Sequence, residues 1–186
     1  VMTLSVRGLV FEFNEVYNTR TPVHDKHNDG TDLASDGFVI RNNYFHDFTN
    51  FWIIGLDTEY IAQAADDTYQ ECVIHNNVVV AEFGLWYCKT SSPTRMSVTF
   101  YNNTFVHTGT IDSGLMGTMM TTDDKFSAYN NIWERNGHTQ SGWDIAVNNG
   151  AIGVIDFNMY DSAVRFLALS EVGTTDWTGT TYTSLA

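Results

Sequence analysis

The sequence contains little proline, little cysteine and few positive charges, and these shortages exclude several classes of protein. Only two of the 186 residues are proline, so no proline-rich linker divides the chain. Nine Lys and Arg stand against 22 Asp and Glu, which gives a formal net charge of −13. This charge argues against nucleic acid or an anionic membrane as a partner, and it disfavours purely electrostatic capture of an acidic polysaccharide. The apolar stretches are far shorter than the roughly 20 residues of a membrane-spanning helix.

The remaining composition is that of a globular domain, with 43% hydrophobic and 14% aromatic residues. We therefore expect residues 1–186 to form a single domain with a substantial core. The chain opens on the strand-like VMTLSVRGLVFEF without a signal peptide. We expect either that a leader has been removed or that the chain is a fragment of a longer protein.

An asparagine recurs through the chain at a near-constant interval, which indicates a repeat architecture. Its six positions are Asn14, Asn43, Asn77, Asn103, Asn131 and Asn158. Apolar residues stand three before each asparagine, at Phe11, Ile40, Ile74, Phe100, Ala128 and Ile155, and two after it, at Val16, Phe45, Val79, Phe105, Trp133 and Tyr160. The position two before is polar or amphipathic. This alternation has the period of a strand and not of a helix.

A second apolar segment follows each of the four central asparagines and the last one by roughly ten residues. The copies are FWIIGL from Phe51, GLWYC from Gly84, GLMGTMM from Gly114, GWDIAV from Gly142 and VRFLAL from Val164. Each repeat is therefore expected to contain three short strands with no intervening helix. Stacked coils of this kind form an all-β parallel β-helix, a solenoid of about six coils.

The repeated asparagine is expected to lie at the tight turn between two strands of one coil. Asparagine tolerates the left-handed conformation that such a turn needs. Its amide both donates and accepts, so it can bond to the equivalent amides one coil above and one coil below, at a spacing of about 4.8 Å. We therefore predict an asparagine ladder and assign both the turn and the ladder to the second residue of each Asn-Asn pair.

The strings VIRNNYF, VIHNNVV, TFYNNTF and SAYNNIW carry a resemblance to the right-handed parallel β-helix superfamily typified by pectate lyases. The resemblance covers the chain from about Val6 to Leu169. It implies a secreted, extracellular, carbohydrate-active protein, although the same fold also serves hydrolases, epimerases, tailspikes and adhesins. In the lyases of this superfamily the substrate lies along an outer sheet, and the reaction is β-elimination.

The resemblance directs attention to the polar stretch Pro22–Asp36, which departs from the repeat where other coils carry the second apolar segment. On this interpretation Lys26 is the base, and His24 and His27 act as acids or bind glycan hydroxyls. Calcium is the expected cofactor if there is one, held by Asp25, Asp29 and Asp32. The surrounding carboxylates would raise the pKa of Lys26, which opposes its action as a base. The alternative is a solvated loop.

Substrate binding is assigned to Arg41 and to the indole rings of Trp52 and Trp86, which can stack on sugars if they face outward and otherwise belong to the core. The sequence leaves open whether the chain is catalytic. The alternatives are a glycoside hydrolase, with carboxylate pairs such as Asp123 and Asp124, or a non-catalytic spacer, fibre or adhesin. The expected partner is a polysaccharide, and end-to-end self-association is a further expectation.

Three smaller features complete the predictions. Cys72 falls in an inward column, and Cys88 is either its disulfide partner across the lumen or a second buried thiol. The insertion between Asp57 and Glu71 contains EYIAQAADD, which can form one or two helical turns. The tail TTDWTGTTYTSLA is interpreted as a polar loop, so neither end of the stack is expected to carry a cap.

Overall fold

The computed structural model of the chain describes residues 2–4, 8–17, 31–33, 38–48, 54–57, 70–81, 86–89, 96–108, 116–119, 125–135, 145–148, 152–160, 166–169 and 179–182. Twenty strands and no helix occur in this part of the chain. Six successive coils contribute three strands each, and two more strands follow.

The strands follow one another coil by coil. The first three coils contain β1 Met2–Leu4, β2 Val10–Glu12 and β3 Glu15–Tyr17; β4 Thr31–Leu33, β5 Phe38–Arg41 and β6 Tyr44–Phe48; β7 Ile54–Asp57, β8 Gln70–His75 and β9 Val78–Ala81. The next three contain β10 Trp86–Lys89, β11 Met96–Tyr101 and β12 Thr104–His107; β13 Met116–Met119, β14 Lys125–Tyr129 and β15 Ile132–Arg135; β16 Ile145–Asn148, β17 Ile152–Asp156 and β18 Met159–Tyr160. The last two strands are β19 Phe166–Leu169 and β20 Gly179–Tyr182.

Equivalent strands of successive coils pair in parallel and form three sheets. The first sheet runs β1-β4-β7-β10-β13-β16-β19, the second runs from β2 to β17, and the third from β3 to β18. Each coil visits the first, second and third sheet in that order. The chain is therefore a parallel β-helix of three short strands per coil, which confirms the fold predicted from the repeat.

The inward columns of the second and third sheets form the core between the coils. In the second sheet, Phe11, Ile40, Ile74, Phe100, Ala128 and Ile155 are register partners in sequence. In the third sheet, Val16, Phe45, Val79, Phe105 and Trp133 are aligned in the same way, and the backbone of Tyr160 continues the register. Phe45, Phe100, Phe105 and Trp133 are essentially inaccessible to solvent. Burial of such side chains contributes about 1.5–3 kcal/mol each.

The repeated asparagines line up in a single ladder at the corner between the second and third sheets. The Nδ2 of each donates to the Oδ1 of its equivalent in the next coil, over 2.9–3.2 Å, from Asn14 through Asn43, Asn77, Asn103 and Asn131 to Asn158. The backbone N–H of each donates to the same oxygen, over 3.0 Å. The four inner members are buried. The predicted ladder is confirmed.

The assignment of the left-handed turn to the ladder asparagine was wrong. Positive φ angles of 53–57° occur at the residue just before it, and these residues are Phe13, Asn42, Asn76, Asn102, Asn130 and Phe157. The two residues of each pair therefore have different structural roles. The first turns the backbone with its side chain toward solvent, and this turn directs the second inward to its hydrogen-bond partners.

The interpretation of the tail as a polar loop was wrong for Gly179–Tyr182. These residues form β20, which pairs antiparallel with β19 at the end of the first sheet. The pairing satisfies backbone groups that an open parallel edge would expose. The second and third sheets end at β17 and β18 among the described residues.

The two cysteines lie in different sheets. Cys72 is buried, in register with Phe38 and Val98 of the second sheet, so its predicted inward position is confirmed. Cys88 lies in β10 of the first sheet, in register with Leu56 and Thr118. A disulfide across the lumen and two buried thiols remain the two alternatives that the sequence offers. The EYIAQAADD segment lies outside the described residues.

Candidate functional site

An outward column runs along the second sheet, one residue before the left-handed corner. Its members are register partners in successive coils: Glu12, Arg41, His75, Tyr101, Tyr129 and Asp156. Because strand residues alternate between faces, the buried neighbours of this column place it on the outside. We call these six residues the outer column. It carries carboxylate, guanidinium, imidazole and phenol groups at intervals of about 4.8 Å.

The three rings of the outer column stack on one another. The His75 and Tyr101 rings lie 4.6 Å apart at an interplanar angle of 7°, and those of Tyr101 and Tyr129 lie 5.3 Å apart at 3°. The ring faces between these residues are therefore covered by neighbouring rings. A ligand reaching them would meet mainly ring edges and the tyrosine hydroxyls, and these hydroxyls can form hydrogen bonds.

Arg41 occupies the N-terminal side of this stack. Its Nε donates to Glu12 Oε2 over 2.5 Å, with both side chains partly exposed. The Nη groups of Arg41 make no hydrogen bond among the described residues. Since an exposed ion pair contributes at most about 1 kcal/mol, the pair is weak as a stabilising contact. The guanidinium remains available to a second carboxylate.

His75 favours its neutral form. Burial lowers its pKa from the ordinary value of 6.5; a hydrogen bond with the Asn76 side chain opposes this, and the positive charge of Arg41 lowers the pKa further. The Nδ1 atom is buried and has no hydrogen-bond partner among the described residues. An imidazole that is neutral near pH 7 retains one nitrogen that can accept a proton.

A second outward column, made of smaller side chains, lies beside the outer column. Each of its members stands two residues before the outer-column residue of the same strand. Val73, Thr99 and Ser127 occupy it in the three coils that carry the stacked rings. All three are partly exposed. The outer surface of the second sheet is therefore lower along this column of short side chains than along the adjacent column of rings.

A separate cluster lies on the outer face of the third sheet. His46 contacts Glu15 through Nε2 at 2.9 Å and Asp47 through Nδ1 at 2.8 Å. Its ring stacks on Tyr44 at 4.3 Å and on Tyr17 at 5.3 Å. Burial alone would lower the His46 pKa, but the hydrogen bonds to Glu15 and Asp47 and their negative charges raise it above 6.5. Both ring nitrogens are engaged, so this histidine has no nitrogen left for a substrate.

Most of the site residues predicted from the sequence lie outside the described residues. These are His24, Asp25, Lys26, His27, Asp29 and Trp52. The backbone of Asp32 lies in β4 and pairs in register with Thr3 and Gly55, so part of the polar stretch is a strand and not a loop. The backbone of Trp86 begins β10, in register with Ile54 and Met116.

The topology separates Arg41 from the first sheet, which contains Thr31–Leu33 of the predicted catalytic stretch and the backbone of Trp86. Thr31 and Trp86 begin strands of the first sheet, where each coil arrives from the third sheet. Arg41 ends β5, at the corner between the second and third sheets. Arg41 is instead brought beside His75 and Tyr101, which were not assigned a role. The sequence places both in the same polar or amphipathic column as Arg41, and this shared column is the signal that could have identified them.

The described ranges contain neither a metal-binding cluster nor a membrane-spanning helix. No group of three or more His, Cys, Asp or Glu side chains is arranged to hold a metal ion there. No helix in the part of the chain that the structure describes is long and apolar enough to cross a membrane.

The fold and site define this chain as a parallel β-helix protein with an asparagine ladder and an outer column of stacked rings. No family model, curated protein or solved structure matches the chain. Its function must therefore be inferred from the geometry of the chain itself.

Proposed function

We propose that this chain is a carbohydrate-active segment of a secreted β-helix protein, polysaccharide lyase-like, which binds an acidic polysaccharide along the outer face of its second sheet. The observation that carries the proposal is the outer column. It aligns a guanidinium, an imidazole and two phenols at strand spacing, beside short side chains that leave room for a polymer. Hydrogen-bond donors for hydroxyl groups and a cation for carboxylates are what a uronate polymer requires.

The direction of the polymer follows from the spacing. The outer column repeats about every 4.8 Å along the solenoid axis, which is close to the length of one sugar unit. A chain lying along this axis therefore meets an equivalent position in each coil. The formal charge of −13 means that recognition depends on Arg41 and on local hydrogen bonds and not on the overall field.

The test is binding and turnover of polyuronates, with and without calcium. We expect the chain to be retarded in gels containing a polymer of uronic acid and to pass unhindered through a neutral glucan. Turnover is followed by the ultraviolet absorbance of the unsaturated sugar ends that β-elimination releases. Replacing Tyr101 and Tyr129 together with Ala should weaken binding at least tenfold. Tyr44→Ala, a tyrosine of the third sheet, is the matched control and should bind normally.

A second candidate function, a structural or adhesive β-helix that associates end to end, is favoured by the polarity of the ladder. At the first rung, Asn14 Oδ1 receives no donor from the described residues, and at the last rung the backbone N–H of Asn158 finds no acceptor there. Phe13 and Phe157, in the same two coils, are 76% and 77% exposed. The two ends are thus complementary in a head-to-tail arrangement, which would have to displace β20 from the first sheet.

Sedimentation velocity over a range of protein concentrations tests this candidate. Head-to-tail association predicts open-ended oligomers that disappear on Phe157→Lys, because a lysine there would meet the apolar corner of the next copy. A single monomeric species at all concentrations would eliminate it.

A further inference from the structure

Three members of the outer column, contributed by three consecutive coils, carry the groups that β-elimination requires. We propose that His75 is the base, that Tyr101 is the acid, and that Arg41 neutralises the substrate carboxylate. This inference rests on the proposed lyase-like function. It places the chemistry on the second sheet, beside the asparagine corner, and not at Lys26.

Arg41 meets the first requirement, a cation for the carboxylate. Its Nε is held by Glu12, which fixes the guanidinium, while its Nη groups make no hydrogen bond among the described residues. A guanidinium presents paired donors that match the two oxygens of a carboxylate. Binding of this kind withdraws charge from the carboxylate and so acidifies the adjacent C–H.

His75 meets the second requirement, a proton acceptor next to that cation. It is the register partner of Arg41, one strand away, and it is partly exposed on the same face. Its buried Nδ1 lies away from a substrate on the surface, so we assign proton acceptance to Nε2, where the substrate takes the place of the Asn76 side chain as hydrogen-bond partner. Burial and the Arg41 charge lower the His75 pKa, which keeps the ring neutral at pH 7, whereas the acidic surroundings of Lys26 in the sequence favour a charged lysine.

Tyr101 meets the third requirement, a proton donor to the leaving group. Its ring stacks on His75 at 4.6 Å, and its register places it on the side of His75 opposite to Arg41. A single uronate unit over His75 can therefore turn its carboxylate toward Arg41 on one side and its departing glycosidic oxygen toward Tyr101 on the other.

The proposed step balances as follows. His75 Nε2 takes the proton from the carbon next to the carboxylate, and the electron pair of that C–H bond forms the new C=C double bond. The bond from the neighbouring carbon to the glycosidic oxygen breaks, and this oxygen takes its electron pair together with the proton of the Tyr101 hydroxyl. The proton on His75 then returns to the Tyr101 phenolate through water, so the site needs no other reactant.

The pH dependence of the step follows from the groups around His75. Arg41 faces the ring from β5 and Tyr101 faces it from β11, while Glu71 lies on the same face of the strand that carries His75. The rate should be constant near neutral pH and should fall as the pH drops through the His75 pKa, which lies below 6.5. A lysine base gives the same kind of rise at higher pH, so its activity would still be increasing in the alkaline range where the His75 profile is already constant.

The experiment compares His75→Gln with the wild type on whichever polyuronate the wild-type protein degrades. Loss of a general base lowers kcat by about 10²–10⁴-fold, and we expect KM to change by less than about threefold because Gln retains a polar contact. Tyr101→Phe keeps the stack and removes the hydroxyl, and it should lower kcat by a similar factor. His46→Gln, the same substitution on the third sheet, is the matched control and should be fully active.

A measurement that does not depend on turnover accompanies these kinetics. The imidazole of His75, assigned in NMR spectra by its loss in His75→Gln, should titrate below 6.5, and a short oligouronate should shift its resonances. Imidazole added to His75→Gln should restore part of the rate. Circular dichroism establishes that each variant is folded.

The outcomes separate this inference from the function on which it rests. Loss of activity in His75→Gln, with Lys26→Ala still active, supports the assignment. An active wild type whose activity survives His75→Gln, or is abolished by Lys26→Ala, overturns the assignment and leaves the lyase function intact. A wild type that releases no unsaturated ends from any polyuronate overturns both.

Discussion

At the scale of single residues, the asparagine ladder concentrates more buried polar contact than any other described feature. Asn77 is 1% exposed, its Oδ1 accepts from the backbone N–H of Asn43 over 3.0 Å, and its Nδ2 donates to the Ile40 carbonyl over 3.0 Å. Asn77→Ala removes these bonds together with those to the Asn43 and Asn103 amides, and it leaves the backbone N–H of Asn43 buried without its acceptor. Since an unsatisfied buried group costs about 1–3 kcal/mol and each lost hydrogen bond about 1 kcal/mol, we expect the free energy of unfolding in urea to fall by about 4 kcal/mol.

The adjacent residue provides the control for that substitution. Asn76 is exposed and has a φ of 56°, and its side chain contacts Asn42 Oδ1 over 3.3 Å and the His75 ring. Asn76→Ala should cost only about 1 kcal/mol, because alanine is disfavoured in the left-handed region. Equal losses from Asn76→Ala and Asn77→Ala would contradict the division of roles between the two residues of the pair.

His46 gives the fold a dependence on pH that can be assigned to one residue. Its folded-state pKa is raised above 6.5 by Glu15 and Asp47. The stability that this confers is fully present below pH 6.5 and is lost as the pH rises through the folded-state pKa. We expect the difference in unfolding free energy between the wild type and His46→Gln to shrink over that interval.

The measurement is a set of urea titrations from about pH 5.5 to pH 8.5, which spans the ordinary histidine pKa. His75 acts in the opposite direction, because its lowered pKa removes stability as the pH falls through 6.5. Only the difference between wild type and His46→Gln isolates the Glu15–His46–Asp47 cluster. A difference that is independent of pH would refute its role.

At the scale of the structural element, the left-handed corner is the feature that each coil repeats. Four inner coils place an asparagine at its positive-φ position, but the first and sixth coils place Phe13 and Phe157 there. A bulky residue in this region is strained, and Phe13 is also 76% exposed. Phe13→Asn should therefore raise the free energy of unfolding by about 1 kcal/mol.

The control for this prediction lies two residues earlier. Phe11 faces the core in register with Ile40, so Phe11→Asn should destabilise the chain by about 3 kcal/mol or more. Both variants are read from urea unfolding monitored by circular dichroism. A loss of stability in Phe13→Asn would mean that the exposed ring makes stabilising contacts that outweigh the backbone strain.

The elements that the sequence predicted were those with a strict period. The inward columns, the ladder and the second apolar segment repeat from coil to coil, so their register followed from alignment of the asparagines. The irregular elements were not foreseen. In β6 the pairing with β9 shifts between Phe45 and Phe48, and Asp47 adopts a φ of 57°. This bulge brings the Asp47 carboxylate within hydrogen-bond distance of the His46 ring. The bulge is not repeated in the neighbouring described coils, so the periodic sequence pattern does not predict it.

The candidate site was harder to predict than the fold, for a physical reason. The sequence predicts substrate binding for Arg41, but it otherwise indicates Lys26, because that stretch breaks the repeat. The outer column keeps the repeat, and its chemistry arises only when Arg41, His75 and Tyr101, at least 26 residues apart in sequence, become neighbours through coil stacking. Reading the outward columns across coils, as the inward ones were read, would have found it.

At the scale of the whole molecule, the solenoid must protect the edges of its sheets. The first sheet ends on β20, where Thr181 pairs antiparallel with Leu167. Thr181→Pro removes a backbone N–H and fixes φ, so β20 should separate from β19 and uncover a parallel edge. Such edges template pairing with other chains, and we expect light scattering to show concentration-dependent association at about pH 7.

Thr181→Ala, which retains the N–H, should remain monomeric. If Thr181→Pro is also monomeric and as stable as the wild type, then the interior of the solenoid, and not β20, is what prevents its coils from associating.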